Sequence, residues 1–133
     1  MEENDNKKMV NVIRDIYYTA HYAVLDTLIS IKYAYQRAVR GYDDRMFCNL
    51  DEEIGKIISL VTLKMADKTN SYPDELTPEK WEGILNDISL GFGSYLEMRS
   101  GIYTFEDKEF KRLDKNFKRG LKLFTRYYTN LWD

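Results

Sequence analysis

The sequence predicts an all-α fold, and three observations carry that expectation. Apolar residues recur at spacings of three and four along most of the chain, which is helical periodicity. No alternating strand pattern occurs anywhere. The first forty residues contain neither proline nor glycine. At 133 residues the length fits one domain, long enough to bury a core without disulfide staples. The expected architecture is a single domain, 1–133, built as a bundle of about four helices with a long N-terminal helix.

The first helix is expected from roughly Asn6 to Arg40. Val10, Ile13, Tyr17, Ala20, Val24, Leu28, Ile31 and Tyr35 form its stripe. Gly41 follows, the residue best able to turn left-handed at a helix end. A helix of about 35 residues spans about 50 Å, so its surplus length must kink, lie exposed, or pack on another copy. The second helix starts near Asn49 or Asp51, either of which can cap. Glu52 and Glu53 suit the positive end of its dipole, and Ile54, Ile57, Ile58, Val61 and Met65 form its stripe.

The third helix has the clearest start: Thr77 as cap, Pro78 at the first helical position, Glu79 in the first turn. Its apolar side carries Trp81, Ile84, Leu85, Ile88, Phe92, Tyr95 and Leu96. Gly91 and Gly93 interrupt it at a propensity cost of roughly 1 kcal/mol each. Such glycines serve either close helix packing or backbone approach to a ligand. The fourth helix opens at Thr104 and Asp107, spaced as a capping-box variant. Phe110, Leu113, Phe117, Leu121, Phe124, Tyr128 and Leu131 then form one stripe to the chain end. Trp81 and Trp132 are both expected to be buried anchors.

Composition excludes several function classes. A net charge of −2 exerts no general pull toward nucleic acid or membrane. Zinc sites need several Cys or His ligands, and the chain has one of each, Cys48 and His21. The lone cysteine also excludes an internal disulfide and suits a reducing compartment. No apolar run approaches a membrane span, and the N-terminus MEENDNKK, acidic and polar with no apolar run behind it, leads us to expect no signal peptide. Gly-rich phosphate loops and nucleophile elbows are absent. Asp43, Asp44, Asp51, Glu52 and Glu53 are hard oxygen ligands of the kind Mg²⁺ takes. Helical nucleotide pyrophosphohydrolases, however, pair E-x-x-E with a later E-x-x-D. Glu79 and Glu82 supply only the first half. The expectation is no enzyme, no cofactor and no metal.

Two cationic constellations remain. Tyr33, Arg37 and Arg40 share one helix face, and an arginine beside an aromatic ring suits a phosphate joined to a base. The same arginines can instead pair with Asp43, Asp44 or Asp51 and fix the corner RGYDDRMFCNLDEE. The fourth helix carries eight cations, and its second half is a basic rod. Lys118, Arg119, Lys122 and Arg126 complete the candidate ligand-binding set with Tyr33, Arg37 and Arg40.

RGYDD with NLD (residues 40–44 and 49–51), then SYPDELTPEKWEGILNDI, then GLKLFTRYYTNLWD resemble a family of small tailed-bacteriophage proteins. That family carries R-G-[FY]-x-D…W-x-L-D, Y-P…W…I-L, and G-L-x-L-F-x-[KR]-Y-[FY]-x-x-L-W-D. The similarity covers about residues 36–133. The chain departs from the pattern at Cys48, where tryptophan is usual, and at Val61-Thr62, where proline is frequent. The resemblance implies a phage gene product acting in the host cytoplasm, from a family with no established enzymatic activity. Host interaction or counter-defence by binding is the expected role: sequestering a nucleotide-type immune signal or blocking a defence protein. An oligomeric assembly accessory without a small-molecule ligand is the alternative. Expected partners are a second copy, through the tyrosine-rich first helix, and an anionic nucleotide-like molecule or a bacterial host protein. Nucleic acid and membrane are not expected.

Overall fold

The structure, a computed structural model, describes residues 2–68 and 70–132, with side chains from Lys8 onward. The described residues form four α-helices, α1 (Glu2–Arg40), α2 (Leu50–Lys68), α3 (Pro78–Ser100) and α4 (Lys108–Tyr127), and no strand. Short 3₁₀ turns occupy Asp44–Phe47 and Tyr128–Asn130. The chain divides into two compact units, Met1–Cys48 and Asn49–Asp133.

The first unit is α1 and its corner. α1 begins four residues before the expected Asn6 and ends where expected. Gly41 takes φ +81°, and its N–H closes the last turn on the Arg37 carbonyl at 2.9 Å. That left-handed geometry is what a side chain with a Cβ resists. Among the described residues of this unit only Gln36 and Asp43 are buried, and both are polar. The large apolar residues of the α1 stripe are exposed along its whole length.

The second unit packs α2 and α4 against α3. Its buried apolar residues are Trp81, Leu85, Ile88 and Phe92 of α3 with Leu113 and Tyr127 of α4. Trp81 meets Tyr127 edge-on at 5.5 Å between ring centroids. Phe92 meets Phe117 and Phe124 in the same way, the arrangement aromatic quadrupoles favour. Beside the phenylalanine cluster, next to Phe92 and between Phe117 and Phe124 in the chain, the α3 and α4 backbones meet at glycine. A Cβ on Gly91 would lie 2.6 Å from the Gly120 Cα. Gly91 therefore serves close helix packing, and Gly93 faces the Ser59 hydroxyl. The α2–α3 seam is held by two serines. The Ser59 hydroxyl donates to the Ser89 carbonyl at 3.0 Å, and the Ser89 hydroxyl donates to the Ser59 carbonyl at 2.8 Å. Gly55 lets Leu96 and Tyr95 approach α2. The other side of α2 is apolar and exposed at Ile57, Leu60, Val61 and Leu63.

The start of α3 follows the sequence reading. Thr77 has extended backbone, and its side chain accepts from the Lys80 N–H. At α4 the Asp107 carboxylate accepts from the Thr104 N–H at 2.8 Å, the reciprocal half of a capping box, but the helix itself begins only at Lys108. It also stops at Tyr127, short of the expected chain end. That overturns the expectation for Trp132. The 3₁₀ turn changes the angular spacing of side chains from about 100° to about 120° per residue, and Trp132 lies 64% exposed. Trp81 is 1% exposed, as expected. Its Nε1 has no hydrogen-bond partner among the described residues.

Candidate functional site

The corner of the first unit is organised around Asp43. This carboxylate is buried, and burial of a charge requires compensation. It caps the 3₁₀ turn by accepting from the Arg45 N–H at 3.0 Å. It also takes ion pairs from the Arg45 guanidinium at 2.9 Å and from Arg37. The Arg45 hydrogen bond, with that of Arg37, holds the Asp43 carboxyl far below the usual carboxylate range, against the opposing effect of burial. Asp44 faces the other way. Gln36 clamps it: the Gln36 amide donates to the carboxylate at 2.7 Å, and the Asp44 N–H donates to the Gln36 amide oxygen at 3.0 Å. Lys32 and Arg40 pair with the same carboxylate at 3.5 and 3.3 Å. Together these contacts, Gln36 foremost, lower the Asp44 pKa.

The corner thus sets four cations against two carboxylates. The side chains of Arg37, Arg40 and Arg45 remain about 45% exposed. Tyr33 lies beneath Arg45, whose guanidinium carbon is 4.3 Å from the ring centroid. Arg40 lies 6.0 Å from the Tyr42 ring. The structure therefore brings Tyr33, Arg37 and Arg40 to one corner. It also adds two residues that sequence reasoning missed, Arg45 and Gln36. Arg45 was legible as the second arginine of RGYDDR. Gln36 lies one helical turn before Arg40, on the face that meets the corner.

Asp51 takes no part in the corner. Its carboxylate accepts from the Tyr95 hydroxyl and pairs with Arg99 at 3.4 Å, within the second unit. Among the described residues no group of three or more His, Cys, Asp or Glu is placed to hold a metal ion.

The remaining candidates lie on α4. Lys108, Lys111, Lys115, Lys118, Lys122 and Arg126 follow at intervals of three and four, so they share one face opposite the buried Leu113, Gly120 and Tyr127. From first to last this face runs about 27 Å at 1.5 Å per residue. Lys118 is tied to Asp114 at 2.6 Å, one turn back, and Arg119 reaches across to Asp87 of α3. Arg112 pairs with Glu109, whose pKa it lowers. Lys108, Lys111, Lys115, Lys122 and Arg126 have no carboxylate partner among the described residues. Arg126 lies 5.2 Å from the Tyr127 ring centroid.

Three cavities of the second unit have other walls. One of about 270 Å³ is lined by Ser71, Tyr72, Pro73, Asp74, Asn130 and Trp132. A neighbour of about 180 Å³ shares Ser71 and Tyr72 and reaches Trp81. A third, of about 490 Å³, lies between Glu52, Lys56, Leu96, Glu97, Arg99 and Ser100. No α4 cation lines any of these three.

In comparison with known proteins, no family model, no curated protein and no solved structure matches this chain. Among the described residues no helix is long and apolar enough to cross a membrane.

Proposed function

We propose that this is a bacteriophage accessory protein that acts by binding. In this reading the basic face of α4 holds an acidic surface of a bacterial host protein, in host interaction or counter-defence. One observation carries it: six cations in a single row of about 27 Å, five of them without a carboxylate partner among the described residues. A row of that length matches an extended acidic surface better than a compact anion, which needs its donors to converge. Surface cations of this kind steer encounter and set specificity, and salt weakens them. The phage origin rests on the resemblance of residues 36–133.

A second reading, capture of a nucleotide-like anion, draws on the corner. Its four cations against two carboxylates leave a local excess of two positive charges, beside the ring of Tyr33. A ligand there competes with Asp43 and Asp44 for the arginines, which favours phosphate, with its greater charge, over carboxylate.

The test compares the parent with two charge-reversal variants, Lys115→Glu/Lys122→Glu/Arg126→Glu on α4 and Arg40→Glu in the corner. Binding to poly-L-glutamate and to a panel of mono- and dinucleotides is measured by calorimetry at two salt concentrations. The first reading expects salt-sensitive polyglutamate binding that the α4 variant weakens at least tenfold and the corner variant leaves alone. Nucleotide binding lost only in Arg40→Glu would transfer the function to the corner.

A further inference from the structure

We infer that α1 pairs antiparallel with the α1 of a second copy of this chain, with Val10 of one copy facing Ala34 of the other. This inference stands independently of the reading of α4. Val10, Tyr17, Val24 and Ile31 follow one another at intervals of seven. Ile13, Ala20, Thr27 and Ala34 repeat the same interval three residues on. Together they are the two seam positions of a heptad repeat, sustained over four repeats. The large side chains of this seam, and Met9, Ile16, Leu28 and Tyr35 on its flanks, are 57–67% exposed. Apolar surface this extensive marks an interaction site.

The area fits a second copy. These nine side chains expose on the order of 100 Å² apiece, roughly 900 Å² per copy, where a standard interface takes about 800 Å² from each partner. A two-fold pairing uses the same stripe on both sides, so no second complementary surface has to be found.

Side-chain size fixes the direction. Antiparallel pairing sets one seam position against the other: Val10 on Ala34, Tyr17 on Thr27, Val24 on Ala20, and Ile31 on Ile13. Three of these four layers join a large residue to a small one, which lets the layers interdigitate. Parallel pairing would set Tyr17 on Tyr17 and Ala20 on Ala20, crowding one layer and emptying the next. In the antiparallel pair the two-fold axis passes between the two helices at the level of residue 22.

The test uses the full chain in a Cys48→Ser background. Sedimentation equilibrium at about 10 µM should report a dimer. Val24→Glu should raise the dissociation constant by at least about a hundredfold, because it sets two carboxylates in the dry centre of the seam. Its helical circular dichroism should persist, because Val24 is exposed in the single chain. Mixing a Val10→Cys chain with an Ala34→Cys chain under mild oxidation should give a disulfide-linked pair, and Val10→Cys alone should give none. A monomer at that concentration, a Val24→Glu protein that stays dimeric, or a Val10→Cys chain that links to itself would each overturn the inference. So would a dimer in which the Val10→Cys and Ala34→Cys chains fail to link, since α1 would then cover another surface.

Discussion

Gly91 of α3 and Gly120 of α4 face each other so closely that neither position has room for a methyl group. A Cβ at Gly120 would lie 2.7 Å from the Gly91 Cα, and the Asp87 and Asn116 carbonyls crowd the same two positions. Backbone cannot step aside as a flexible side chain can. Gly91→Ala and Gly120→Ala should therefore each destabilise the second unit by about 1–3 kcal/mol, overpacking outweighing alanine's roughly 1 kcal/mol helix preference. Urea denaturation of both single variants and the double variant checks this. The double variant should depart from additivity, since the two sites share one contact.

The two tryptophans should separate cleanly. Trp81→Ala removes a buried side chain of the core cluster with Leu85 and Tyr127 and should cost about 3–5 kcal/mol. Trp81→Phe should cost clearly less, because an aromatic ring still fills most of the same space against Leu85 and Tyr127. Trp132→Ala should change stability by no more than about 0.5 kcal/mol. Thermal melts of the three variants decide it.

Acid should reach the corner late. Asp43 has its pKa depressed by Arg45 and Arg37. Its contribution to stability is therefore full above the unfolded carboxylate pKa of about 3.9 and is lost as pH falls toward the folded value. The stability gap between parent and Asp43→Asn should be widest at neutral pH and narrow below about pH 4. Carboxyl carbon NMR should find Asp43 still ionised where exposed carboxylates have protonated.

At the alkaline end, Tyr95 should ionise after an ordinary tyrosine. Its hydroxyl donates to the Asp51 carboxylate, which is the first cause of its raised pKa, with burial adding to it. Phenolate absorbance, read as parent minus Tyr95→Phe, should place this residue above the usual range. Asp51→Asn should bring it back down.

The helices were legible because periodicity is local. Thr77, Pro78 and Glu79 announced α3, and Gly41 announced the end of α1, each through the geometry of one turn. What remained hidden depends on distant partners. Nothing in the sequence pairs Gly91 with Gly120, and Asp43 and Asp44 are indistinguishable neighbours until the 3₁₀ turn buries one of them. Trp132 was misread because the α4 stripe was extended past Tyr127, where the helix has already ended. The basic face of α4 was visible from spacing alone. The corner was visible as charge, but the roles of Arg45 and Gln36 required the turn that brings them there.

The contrast between Trp81 and Trp132 gives the protein two built-in optical reporters. An indole sealed among Leu85 and Tyr127 emits at shorter wavelength than one bathed in solvent, and a dissolved quencher such as iodide reaches only the latter. Fluorescence of the unmodified chain therefore carries two resolvable signals. The blue component tracks the integrity of the α3–α4 seam. The red, quenchable component tracks whatever covers the surface beside Tyr72 and Asn130, so a ligand settling there would dim the iodide response without touching the core emission.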